Sequence, residues 1–444
     1  MRIHETEQNL VAMPEMKSTP ATESPISAEV LRTVEAFDAL YPEWDALFRA
    51  TGSSVFQSFE WLRTWWRHFG EHSPDMSLHV VVMRGDTRIV GIAPLFVETV
   101  HILGFLSFRK VAFISREMSD YLDVLVEKGL EQQCANILAA HLRNSSPPFD
   151  IILLEDVADN SVNHRLLFEA LVREGLRGTH FVSQHCPRTA LHETWEDTLA
   201  SFSNKHRKHI TYQRKNIGRN FEVTFERTTS QENVRQDMED FIALHQHRWT
   251  ESGYKGVFGD DRPANFHRDV AAHLFKRGWL FLTFLRLNGK RIAANYGFQL
   301  GSITSTYLNG MIEYGDASKF SPGRVLHAYS IEEAIRNGAS IYDFLRGRER
   351  YKYFFDAIDV PNWTIICYRP NSRLARTGFK LDLLRKALRR RIERERLSLK
   401  LITNKNGFFS KATALHIVAT MGQVVRDGMM KLKAPEKSLT TKDE

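Results

Sequence analysis

A ten-residue stretch, Asp343 to Lys352, holds a carboxylate, a phenol and an ammonium group. Asp343 sits in an otherwise apolar run of Ile341, Tyr342, Phe344 and Leu345. A carboxylate there either ends buried against a partner, with Arg346 or Arg348 in reach, or faces a site as a base or substrate-orienting group. Gly347 allows a turn or leaves room for a ligand. Tyr351 can give a proton to a leaving group, and Lys352 can hold a phosphate or stabilise an oxyanion. Plain packing is the competing reading for both. Upstream, Lys319-Phe320-Ser321-Pro322-Gly323-Arg324 opens a helix, with Ser at the cap, Pro next and Gly338 as the stop signal. The order strand, loop, helix opening, strand aims backbone N–H groups and the helix dipole at one point, which suits an anionic group.

Two other places carry chemistry. Asp120 and Tyr121 follow a strand-like region, as an acceptor-binding loop or as a capped turn with a core tyrosine. His245, Arg248 and Trp249 share one helix, where Trp249 reads as core and Arg248 is available to an anionic substrate. No Gly-x-Ser-x-Gly elbow is present. None of the three cysteines, Cys134, Cys186 and Cys367, reads as a nucleophile paired with a His, and they are too scattered for a disulfide framework or a zinc cage. They read as buried apolar fillers, and no metal is expected.

The elements that position these residues alternate between strand and helix, which points to an α/β architecture. Residues 78–83 and 88–97 form a hairpin around Gly85-Asp86, and residues 279–287 and 291–300 repeat it around Asn288-Gly289. Strand signal at 302–311, a polar loop at 313–320, a helix at 324–337 and a strand at 340–345 complete the second series. A chain of 444 residues predicts two or three domains, and its 43% hydrophobic share excludes disorder throughout. No charge-free stretch is long enough to span a membrane. The start of the chain is rich in Ser, Thr, Pro and Glu, so it reads as a disordered lead-in rather than a secretory signal.

The net charge of +7 is local. Between Arg373 and Lys400 stand eleven basic residues against three acids, on an amphipathic leucine stripe. A second cluster is Lys205, Arg207, Lys208, Arg214, Lys215 and Arg219, with no acid between 201 and 220. Two patches on a near-neutral body point to particular anionic contacts rather than to DNA.

The run 321–355 resembles the C-terminal signature of GNAT-like acyltransferases of the CelD-like family, linked to cellulose or exopolysaccharide synthesis. HRKHITYQRKNIGR at 206–219, LHQHRW at 244–249 and RIAANYGF at 291–298 resemble that family in the same order. So do FQSFEWLRTWW at 56–66, GIAPLF at 91–96 and SDYLDVLV at 119–126, so the resemblance spans about Val30 to Tyr368. The family is similar to the Fem-type peptidoglycan-bridge aminoacyltransferases, which carry two tandem GNAT-like domains. The resemblance therefore implies mixed α/β sheets flanked by helices, in domains at 30–195 and 196–370. A disordered 1–29 precedes them and a basic helical tail, 371–444, follows.

It further implies transfer of an acyl group, acetyl foremost, from acyl-CoA to an amine or hydroxyl of a sugar or polysaccharide-related acceptor. Asp343, Tyr351 and Lys352 are then the catalytic candidates, with Tyr351 protonating the leaving thiolate. Lys319, Ser321, Pro322, Gly323 and Arg324 bind the cofactor; Asp120, Tyr121, Arg248, Arg346 and Gly347 bind the acceptor. One departure stands out: the Gln/Arg-x-x-Gly-x-Gly/Ala loop with which conventional GNAT enzymes cradle the CoA pyrophosphate is here Lys319 to Arg324, with a single glycine. An aminoacyl-tRNA donor is the alternative, and a non-catalytic assembly factor for polysaccharide synthesis is the rival from another class. The expected location is cytoplasmic, with 373–400 touching an anionic membrane or a synthase.

Overall fold

The computed structural model describes residues 25–379, apart from 53, 87, 103–105, 160, 252–255 and 374. The expectations for 1–24 and for the basic tail beyond 379 lie outside the described residues. The strands are β1 (Ser27–Leu31), β2 (Met76–Leu78), β3 (Val80–Gly85), β4 (Arg88–Ala93), β5 (Leu95–Ile102), β6 (Leu106–Phe113), β7 (Leu125–Val126), β8 (Ile151–Ala158) and β9 (Arg177–Ala190). They continue with β10 (Val223–Arg227), β11 (Leu280–Leu287), β12 (Lys290–Leu300), β13 (Ile303–Met311), β14 (Ile341–Asp343) and β15 (Ile358–Tyr368). The helices are α1 (Val34–Ala39), α2 (Tyr41–Thr51), α3 (Phe59–Trp65), α4 (Glu131–Asn144) and α5 (Asn163–Arg173). After them come α6 (Trp195–Ser201), α7 (Asn204–Asn220), α8 (Val234–Glu251), α9 (Asp261–Lys276) and α10 (Pro322–Arg336).

Both halves are mixed α/β and follow one plan. In the second, β11, β12 and β13 form an antiparallel meander, α10 returns the chain, and β14 lies parallel to β13. In the first, β5 and β6 are antiparallel, α4 returns the chain, and β8 lies parallel to β6. Each parallel pair is only three residues long, Ser305↔Asp343 ending one and Ala112↔Leu153 the other. The two hairpins read from the sequence are β3–β4 and β11–β12.

Three local readings differ. Residues 88–97 are two strands, because Pro94 has no N–H to continue the ladder: β4 stays in the sheet β1-β3-β4-β7 while β5 joins the larger one. Residues 78–83 likewise divide at His79, with Leu78 pairing to β5 and Val80 to β1. Ser27–Glu29, placed by composition in the lead-in, begin β1 and pair with β3.

The larger sheet runs β10-β11-β12-β13-β14-β9-β15-β8-β6-β5-β2. Thus β9, from the first half, sits between β14 and β15, and β15, from the end of the second half, sits against β8. The halves also share a core: Trp61 packs edge-on against Phe266, Phe298 and Tyr307, and Phe56 against Phe298. Cys134, Cys186 and Cys367 are all buried within this body.

Asp123 is buried in the loop before β7 and accepts from the Val124 N–H at 2.8 Å. Burial pushes its carboxyl up to about 6 against hydrogen bonds that pull it down. The unfolded chain gives up that proton near pH 3.9, so the folded state holds more protons between about pH 4 and 6 and loses stability as pH rises through that window. Asp123→Asn is expected to melt like the parent at pH 4 and to be more stable, by about 3 kcal/mol, at pH 7.5. Equal melting curves at both pH values would mean that Asp123 carries no burial penalty.

Candidate active site

Beyond Ser305 and Asp343, β13 and β14 part company. β13 continues to Met311 along β12, with Tyr307 as the extra residue of a bulge between Thr306 and Leu308. The other chain turns away: Leu345 and Gly347 both have positive φ, 53° and 106°, and Gly347 N–H donates to the His185 carbonyl of β9. The pairing of the two strands therefore ends before residues 307–311 and 344–347, which diverge. The helix α8 closes one face of β13, so tightly that a Cβ on Gly310 would meet the His245 backbone nitrogen at 2.6 Å. On the other face lies α10, held by Asn295 to Ser330 at 3.2 Å and Thr283 to Ser330 at 3.0 Å.

Tyr351 stands where they diverge. Its hydroxyl accepts from Asn309 Nδ2 at 2.9 Å, and its ring stacks on His327 of α10 at 5.2 Å and 20°. Burial, with Lys352 adding to it, pushes His327 down to about 3, so the ring beneath the phenol is neutral. Asn309 Oδ1 is buried and without a partner among the described residues. These two residues, Asn309 and His327, carry no signal in the sequence that separates them from ordinary strand and helix positions.

Asp343 is completely buried. Its Oδ2 accepts from Arg188 Nε at 2.6 Å and from the Tyr121 hydroxyl at 2.8 Å, and its Oδ1 accepts from the Leu345 N–H at 2.8 Å. Burial pushes the carboxyl upward, and Arg188 leads the groups that pull it back. The partners expected from sequence, Arg346 and Arg348, are engaged elsewhere. Arg346 meets Asp120 at 2.8 Å and Asp156 at 3.5 Å, and Arg348 meets Asp359 at 2.6 Å. The reason is register: β9 places Arg188 directly opposite Asp343, while the turn at Leu345 carries Arg346 to the other side.

Lys352 is buried as well, and its Nζ donates to the carbonyls of Leu345, Arg346 and Gly347 at 3.0, 2.8 and 3.1 Å, beside Glu349 at 2.9 Å. Those bonds occupy the ammonium inside the turn, so it organises the turn and does not reach a phosphate. Asp120 and Tyr121 are equally enclosed, bridging the halves through Arg346 and Asp343. Tyr307 adds another bridge, donating to the Met118 carbonyl at 2.8 Å.

The corner at the start of α10 adjoins this group. Ser321 is left-handed, with φ 53°, and its carbonyl takes the N–H groups of Arg324 and Val325 at 2.9 and 3.2 Å. Pro322 is buried and has no N–H. The Gly323 N–H has no protein partner among the described residues, and a Cβ there would meet only Met311 Sδ, at 3.6 Å. Arg324 lies over the Phe354 ring at 4.2 Å and donates to Ser321 Oγ at 2.5 Å. Lys319 points away, largely exposed and paired with Asp316 at 2.8 Å. Arg248 belongs to α8, and its side chain lies outside the described residues. Of the residues singled out from sequence, then, Asp120, Tyr121, Asp343, Arg346, Gly347, Tyr351 and Lys352 converge. Ser321 to Arg324 stand one aromatic ring away, and Lys319 does not join them. Arg188, the residue that neutralises Asp343, was not foreseen.

Residues 204–353 match a protein family described as an acetyltransferase (GNAT) domain. This part of the chain has the GNAT-type acyltransferase fold. No curated protein sequence matches the chain. Among solved structures, FemX superposes with a TM-score of 0.53 at 12% identity, covering 76% of this chain and 96% of that one. A conserved protein of unknown function from Bacteroides thetaiotaomicron gives 0.47 at 13%, covering 77% and 100%. The C-terminal domain of a putative lysylphosphatidylglycerol synthetase from Agrobacterium fabrum gives 0.47 at 11%, covering 78% and 97%. At these identities the FemX likeness establishes a common fold.

Proposed function

We propose that the chain transfers an acyl group, acetyl foremost, from acyl-CoA to an amine or hydroxyl of a sugar or polysaccharide-related acceptor, in the manner of the CelD-like family and in the cytoplasm. The observation that carries this reading is the divergence of β13 and β14, with the Tyr351 hydroxyl bonded to Asn309 of β13 and Gly323 beside Met311 at the end of that strand. The donor site fits a phosphate-bearing carrier on three counts. The first-turn N–H at Gly323 is unpaired, the space beyond it is open, and Arg324 supplies a cation. When bound, such a carrier supplies a thioester whose carbonyl carbon accepts a nucleophile.

The chain's own residues do the rest by positioning. Gly323 and Arg324 hold the anionic end of the donor. As the acceptor's nitrogen or oxygen bonds to the carbonyl carbon and the C–S bond breaks, Tyr351, steadied by Asn309 and His327, gives its proton to the leaving sulfur and is restored by the proton that the acceptor releases. Lys352 and Asp343 are positioning residues: one draws together the carbonyls of 345–347, the other ties that turn to β9 and to Tyr121. Asp120 and Arg346 lock the first half against the same turn, which fixes the wall facing the acceptor. Calorimetric titration with acetyl-CoA tests the reading; a saturable complex supports it, and no heat at high micromolar concentration removes it.

A further inference from the structure

We propose that the outer face of α7 docks on an anionic membrane surface. Lys205, Lys208, Tyr212, Lys215 and Arg219 follow one another at helical spacing and so share one side of α7. All five are exposed, Tyr212 by 60%. None of the four cations has a partner among the described residues. The other flank behaves differently: Arg214 is committed to Glu332 at 2.6 Å and stacks on Tyr329 at 4.1 Å. The free stripe is about 21 Å long and has no acid anywhere from 201 to 220 to neutralise it.

An exposed apolar residue follows the segment that holds the start of this helix. Asp356 holds the start of α7 through the Ser203 N–H and His206, the latter at 2.5 Å. Two residues beyond it stands Ile358, 75% exposed. Tyr212 and Ile358 are the two most exposed large hydrophobic residues among those described. Cations around an exposed tyrosine, with an exposed isoleucine beyond the start of the helix, fit a phospholipid headgroup layer, where the cations meet phosphates and the apolar groups enter the acyl boundary. A convex helix face without a groove is a poor track for a nucleic acid strand, and Ile358 offers it nothing.

The chain's own basic stretch 373–400 does not suit this face, since like charges repel. Its acidic start, with Glu5, Glu7, Glu15 and Glu23 against Arg2 and Lys17, is the other segment that could. Docking through α7 also sets the site near the lipid, because His206 and His209 pack on the Phe354 ring that Arg324 covers.

The test uses the full chain carrying Tyr212→Cys with an environment-sensitive dye, since the native cysteines are all buried. Vesicles with about 40% phosphatidylglycerol, in about 0.1 M salt, are expected to shift the dye to the blue; phosphatidylcholine vesicles and about 1 M salt abolish the shift. A dye at Val172→Cys, an exposed position on α5, should not respond. Changing Lys205, Lys208, Lys215 and Arg219 to Gln in the Tyr212→Cys chain should weaken binding about fivefold per charge. Four results overturn the proposal. They are sedimentation of the protein by vesicles with the dye at 212 silent, unchanged binding of the Gln variant, a dye shift with single-stranded RNA where vesicles give none, and a dye that moves from a covered to an exposed state on deletion of residues 1–24 without vesicles.

Discussion

Tyr351→Phe is expected to lower kcat by about 100- to 10,000-fold, the range over which a positioned acid or base contributes. The readout is thiol release from acetyl-CoA in the presence of a saccharide acceptor. Only the hydroxyl is removed. The ring keeps its stack on His327 at 5.2 Å, and the lost bond to Asn309 costs about 1 kcal/mol of stability. Melting temperature and donor affinity should therefore stay near the parent values while turnover collapses. A parallel fall in melting temperature and turnover would return Tyr351 to the packing role that its sequence position equally allowed. Unchanged turnover would remove it from the chemistry.

Arg188→Leu is expected to destabilise the fold by about 3–5 kcal/mol, because it strands a completely buried carboxylate. In the parent, burial already pushes Asp343 upward and Arg188 is the chief opposing group. Without Arg188 the folded-state value rises further above that of the unfolded chain. The penalty is then full at neutral pH and is relieved as pH falls and Asp343 takes up a proton. The double variant Arg188→Leu/Asp343→Asn removes the unpaired charge and should recover most of the loss, since the two residues are in contact and their effects do not add. Thermal melts at pH 5 and pH 8 read both signatures. A single variant as stable as the parent, or a double variant no better than the single, would show that the pair does not hold β14 to β9.

Much of this arrangement was legible from local signals. Residues 279–311 read as a three-strand meander because β-branched and aromatic residues alternate with an Asn-Gly turn, and the strands fall within a residue or two of that reading. The Pro322 helix start and Gly338 stop likewise mark α10. What escaped is what long-range topology decides. Arg188 meets Asp343 only because β9 crosses into the second half of the sheet, and no periodicity within 177–190 announces that neighbour. Lys352 looked free to bind phosphate. Its fate depends on the positive φ at Leu345 and Gly347, which folds three carbonyls back onto its ammonium. The departure of Lys319 follows from the short helical turn Gly315–Phe320, where Asp316 lies one turn before it. Composition alone marks 313–320 as a polar loop.

Gly323→Asp offers the sharpest probe of the donor corner. The new Cβ meets only Met311 Sδ, and a carboxylate in the first turn suits the helix dipole, so the fold should be at least as stable as the parent. That same carboxylate faces the place assigned to phosphates. In calorimetric titrations with acetyl-CoA, the parent chain is expected to bind with a micromolar Kd and the variant about 100-fold more weakly, like charges being opposed at close range. Equal affinity in the two proteins, or a parent that takes up no acetyl-CoA at all, would contradict a phosphate-bearing acyl carrier seated at the start of α10.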